Sequence, residues 1–139
     1  MRIEGERHMS ESARLHESLD RESVLSRLDH ADRLAIPEVV RDLVDWIGLG
    51  LTAMAGGVNE TRFVRPWIEG KRPRRPASLR AAWRAAYAIK ALCGSEAAKA
   101  WFIGQKREFD FQSPIRVLQE NTDDARTAVV RAAVRFATN

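Results

Sequence analysis

Between Thr61 and Arg84 eight basic residues (Arg62, Arg65, Lys71, Arg72, Arg74, Arg75, Arg80 and Arg84) stand against one acid, Glu69. That concentration of charge suits phosphate neutralisation, and nucleic acid is the first partner it suggests. The residue types divide the stretch in two. Asn59, Thr61, Arg62 and Arg65 precede or enter a short helical segment. There an arginine could meet the O6 and N7 of guanine and an asparagine could do the same for adenine. Lys71, Arg72, Arg74 and Arg75 lie in a run broken by Pro73 and Pro76, so the extended segment Lys71 to Ala77 would hold phosphates and position the protein without specifying sequence. The competing reading of the same residues is a solvated polar turn between two helices.

Catalytic chemistry finds no comparable cluster. His8, His16 and His30 all lie near the N-terminus. The spacing of His16 and His30 does not suit two metal ligands on one helix turn. The single cysteine, Cys93, excludes a disulfide framework or a cysteine-based zinc site within the chain, and it reads as a small apolar residue before Gly94. Gly56-Gly57 lacks the strand and the further glycine of a phosphate-binding loop. The chain is therefore expected not to be an enzyme and to need neither metal nor cofactor.

The elements that must position the basic stretch all read as helices. Of the 139 residues 45% are hydrophobic and 30% are charged, enough apolar content for a packed core. No apolar run reaches the length of a membrane span and no signal-peptide core is present, so a cytoplasmic protein without a membrane partner is expected. Residues 1–9 contain His8-Met9, a pair that cloning junctions encode. Met1 to His8 thus read either as a cloning-derived leader ahead of a native Met9 or as native chain. Residues 10–36 form an acidic amphipathic segment whose stripe is Leu15, Leu19, Val24, Leu25 and Leu28. Pro37 opens the next helix, with Val39, Val40, Leu43, Val44 and Ile47 on one face, and Gly48 closes it. Leu51 to Ala55 makes barely one turn before Gly56-Gly57.

Asn59 or Thr61 can cap the following helix, in which Val64, Trp67 and Ile68 share a face and Gly70 ends the run. Pro66 fits that helix only if it falls in the first turn. Ser78 caps an alanine-rich helix to Leu92, with Leu79, Trp83, Ala86 and Ile89 in a stripe. Ser95, Ser113-Pro114 and Thr122 open three more, the last carrying Ala125, Val129, Ala132, Ala133 and Phe136. The fold class is all-α: an N-terminal helix, a helix-turn-helix bundle over 37–93 and a small helical domain over 94–139.

The order of these parts resembles a known family. LTAMAGGVNETRFVRPWIEGKRPRRP followed by SLRAAWRAAYAIKAL resembles the Xre-like helix-turn-helix of the Xre/MbcA/ParS-type antitoxins. AKAWFIGQKREFDFQSPIRVL, with a late helix ending RFATN, is similar to their C-terminal toxin-binding domain, through Trp101, Ser113-Pro114, Leu118 and Phe136. The segment before Pro37 has no counterpart, and dimerisation is one use for it. The resemblance implies binding of the chain's own promoter as double-stranded DNA and neutralisation of a RES-domain, NAD-degrading toxin; a homodimer is also expected. It also implies that Trp101, Phe109, Phe111, Pro114 and Leu118 shape the toxin-binding domain. Arg131, Arg135, Phe136, Thr138 and Asn139 would then lie nearest the toxin. By spacing alone, Trp101 and Phe136 fit a helical core at least as well. Two other readings stand beside this one: a helix-turn-helix regulator with no toxin, its C-terminal helices used for dimerisation, and an interaction module for an acidic protein.

Overall fold

The computed structural model describes residues 21–139, so the expected leader and the stretch from Ser10 to Asp20 lie outside the described residues. α1 (Arg21–Arg27) runs into a 3-10 turn (Leu28–Asp32), and α2 (Ile36–Ala55) follows. A second 3-10 turn (Thr61–Phe63) leads directly into α3 (Val64–Ile68). After α4 (Pro76–Cys93) come α5 (Ser95–Ile103), a third 3-10 turn (Arg107–Phe109), α6 (Pro114–Leu118) and α7 (Asp123–Thr138). Among the described residues the only β pairing is an isolated bridge, Lys106 to Gln112. The chain is all-α, as its periodicities require.

α4 is the hub. Eleven of its 18 residues are buried, among them Ala81, Ala82, Ala85, Ala86, Ala88 and Ala91. A helix buried nearly all round needs partners on every side, and alanine lets them approach closely at little side-chain entropy cost. α7 packs along one side of α4, while α2 and α5 cover others. The apolar core therefore runs without a break from Val24 to Ala133. Residue 93 separates two helices, not two cores, and the expected division into 37–93 and 94–139 does not divide the packing. Trp46, Trp83 and Tyr87 lock α2 to α4, with ring centroids 5.4, 5.9 and 5.2 Å apart. Trp83 donates its indole N–H to Asp42 at 3.0 Å, so the buried ring leaves no polar atom unpaired.

Two glycines turn the chain with no loop at all. Gly48 (φ 93°, ψ 167°) breaks α2 internally, so 49–55 is a separate helical run, as expected for Leu51 to Ala55. Gly94 (φ 98°, ψ 161°) joins α4 to α5 in the same way. This backbone region is almost closed to residues with a Cβ.

Several expected caps are replaced by other arrangements. α4 starts at Pro76, two residues before Ser78, so the linker is shorter than Lys71 to Ala77. Ser78 is buried and turns its hydroxyl to the Asn121 side chain at 3.3 Å. Ser95 is the first residue of α5 rather than its cap, and no side chain caps α5. Ser113 holds the expected position before Pro114 without a side-chain cap bond. Neither Asn59 nor Thr61 caps the segment that follows them. Thr122 does cap α7, its Oγ1 accepting the Ala125 N–H at 3.1 Å. Leu25 leaves the expected apolar stripe and is exposed, while Ala31, on the 3-10 turn, is buried. Cys93 is exposed at the α4 terminus, where Gly94 turns the chain away, and contributes nothing to the core.

Candidate nucleic-acid interface

α3 is only five residues long, too short to hold its shape unaided, and its position comes from what brackets it. Before it, Val58 donates to Ala53 O and Gly57 to Met54 O, both at 3.0 Å. After it, Lys71 donates to Pro66 O at 2.8 Å and Gly70 to Trp67 O at 3.3 Å. Each pair is a Schellman closure, with Gly57 (φ 87°) and Gly70 (φ 116°) in the left-handed half of backbone space. Between the two closures Val64 and Trp67 are buried, as their shared face requires. The Trp67 ring lies against the backbone of Gly56, where an added Cβ would come within 2.6 Å of ring carbon Cζ3.

Pro66 fits comfortably in this arrangement. The 3-10 turn holds Thr61 to Phe63, so α3 begins at Val64 and Pro66 lies in its first turn, where an N–H has no helical partner to lose. Asn59, Thr61, Arg62 and Arg65 are all exposed on this outer surface. Arg62 is paired with Glu60 at 2.9 Å and its guanidinium lies 5.0 Å from the Phe63 ring centre. An exposed pair of this kind is worth about 0.2–1 kcal/mol and exchanges readily for a stronger acceptor.

The basic run separates into free and committed cations. Lys71, Arg72 and Arg74 are exposed and line one cleft of about 380 Å³ together with Phe63, Trp67 and Val58. Arg75, also expected on phosphate, is held within the molecule. It is half-buried, donates to Gln119 O at 3.2 Å, and packs so closely on Gly57 that a Cβ there would meet it at 2.6 Å. Arg80 and Arg84 are also committed inside the molecule. Arg80 donates to the carbonyls of Ala31 and Leu34, and Arg84 bonds Leu28 O at 3.2 Å and Asp32 at 2.6 Å. These two side chains tie the 3-10 turn and its exit to α4. The field that this outer surface presents is therefore smaller than the sequence count and sits on Arg62, Arg65, Lys71, Arg72 and Arg74.

Phe63 is the residue that charge and periodicity do not single out. It is an exposed aromatic on the ridge between that cleft and a second one of about 470 Å³, which Asn59, Arg75 and Gln119 help to line. Its one signal in the sequence is an aromatic placed between Arg62 and Arg65 and off the Val64–Trp67 face.

Among the residues expected to meet a toxin, Trp101 lies apart from those on α7. Trp101 is buried, edge-to-face with Phe102 at 5.2 Å, and belongs to the core. Lys106 stands over its ring at 5.7 Å; desolvation there lowers the lysine pKa, and Glu108 opposes the shift. Arg131 faces the cleft between α4 and α7. Arg135 pairs with Glu108, tying the end of α7 to the 106–112 loop, and the exposed Phe136 follows it. The Thr138 carbonyl accepts from Arg21 at 2.6 Å, so α1 is fastened to the end of α7, and Asn139 is exposed beyond it. Pro114 and Leu118 are buried and Phe109 is partly so. Phe111 is 60% exposed at φ 67°, an uncommon backbone state for a bulky residue. The loop is closed by Lys106 to Gln112 O (3.1 Å) and Phe111 to Lys106 O (2.8 Å).

No family model, no curated protein and no solved structure matches the chain.

Proposed function

We propose that the chain is a DNA-binding regulator of the antitoxin type, binding its own promoter as a dimer and neutralising a RES-domain toxin. One observation carries the DNA reading: five cationic side chains stand exposed around a short helix that two Schellman closures and the buried Trp67 hold rigid. A short basic helix held at both ends suits a major groove, with Arg62 and Arg65 at base edges and Lys71, Arg72 and Arg74 on phosphates. Phe63 lies between them, where an aromatic could meet a thymine methyl.

The test is a competition between promoter and scrambled duplexes at low salt. Wild type is expected to prefer the promoter, and Arg62→Ala to lose roughly 1–3 kcal/mol of discrimination at one base position. A wild-type chain that binds neither duplex overturns the DNA reading.

The toxin reading rests on the exposed Phe111 and Phe136 and on the Glu108–Arg135 tie between their two elements. Aromatics that become buried at a partner surface commonly carry most of the binding energy. Truncation before Phe136 is expected to abolish protection of cells that co-express the toxin while DNA binding persists. Protection by the truncated chain would remove the toxin assignment.

A further inference from the structure

We propose that the cleft between the Leu28–Asp32 turn, α4 and the first half of α7 binds a phosphorylated small molecule. Four guanidinium groups, from Arg80, Arg84, Arg126 and Arg131, line a space of about 500 Å³. Only two carboxylates share that lining, Asp32 and Asp123, so the cleft keeps a net charge of +2.

The burial is arranged in favour of an incoming anion. The Arg84 side chain is 23% exposed, but its partner Asp32 is 69% exposed. Arg126 is 17% exposed, and its partner Asp123 is 97% exposed. The cations are thus recessed while the carboxylates that meet them stand in water. Backbone and amide bonds fix the arginines without those carboxylates: Arg84 on Leu28 O at 3.2 Å, Arg80 on Leu34 O at 2.8 Å, Arg126 on Asn121 at 2.9 Å. Asp32 and Asp123 can rotate to solvent, leaving a preorganised fork for a phosphate. Arg131, exposed at the rim and with no partner among the described residues, is free to close on the bound group. Ala81 and Val130 supply an apolar wall, and the volume falls in the range of small-molecule sites. A mononucleotide or sugar phosphate has both halves of that chemistry.

None of the residues lining this cleft lines the clefts around Phe63. The site is therefore independent of the DNA reading and is tested without DNA. The full chain is titrated calorimetrically with pyrophosphate and with AMP, each at constant ionic strength. Saturable binding of both is expected, and Arg131→Ala is expected to weaken it about tenfold without changing the melting temperature. Asp32→Asn is expected to tighten it several-fold by removing the competing carboxylate, an effect that a merely structural role for Asp32 would not produce. Absence of saturable binding by wild type at millimolar ligand overturns the proposal. Equal binding by wild type and Arg131→Ala does so too. So does binding that survives Arg131→Ala but is lost in a Lys71→Ala/Arg72→Ala/Arg74→Ala chain, because the anion would then occupy the outer basic surface.

Discussion

Replacing Trp67 by Ala is expected to lower the unfolding free energy by about 3–5 kcal/mol, the range for deleting a buried aromatic. The ring is buried, and it packs on the backbone where α2 ends, so its removal leaves a cavity under α3 itself. The companion substitution is Gly56→Ala. Gly56 has φ −82°, ψ −1°, a backbone state that alanine adopts freely, so any cost is steric. An added methyl would sit 2.6 Å from Trp67 Cζ3, and overpacking of that kind costs about 1–3 kcal/mol. Because each substitution acts on the same pair of groups, the two must be non-additive. Gly56→Ala in a Trp67→Ala background should cost far less than in wild type, since the cavity accepts the methyl. Urea unfolding of the four proteins measures this coupling. Additive effects would show that Trp67 and Gly56 act independently.

The elements of this fold are largely legible in the sequence, and the reasons lie in local chemistry. Pro37, Gly48, Gly70, Gly94, Pro114 and Thr122 act within a few residues of themselves, so each marks its boundary whatever surrounds it. Ser78 departs from its expected capping role because its hydroxyl is claimed by Asn121, 43 residues away, and Pro76 has by then already started the helix. The same distance effect hides the fate of the arginines. Arg74 and Arg75 are adjacent and chemically identical, yet one is exposed and the other reaches Gln119 O across the molecule. Charge counting treats them alike, because the carbonyls that capture Arg75 and Arg80 carry no formal charge. Trp101 and Phe136 show the same limit for apolar residues. Both keep helical spacing, but only the packing shows that one fills the core and the other faces solvent.

That division of the arginines leads to the second large effect, in DNA binding. Changing Lys71, Arg72 and Arg74 together to Ala is expected to leave stability within about 0.5 kcal/mol of wild type, since all three are exposed. The slope of log K against log salt should become shallower by about 2.7, at roughly 0.9 for each phosphate no longer neutralised. Promoter and scrambled duplexes should weaken equally, because binding to phosphate carries no sequence information. Arg75→Ala separates this account from simple charge counting. It removes the same charge, but from a side chain that spans Gly57 and Gln119 O. Its cost should therefore appear in stability, about 1 kcal/mol for the hydrogen bond, with little change in the salt slope. If Arg75→Ala flattens the slope as much as Arg74→Ala does, the guanidinium leaves Gln119 to meet phosphate, and the clamp includes all four cations. If the triple substitution leaves the slope unchanged, this surface does not carry the phosphates, whatever its charge.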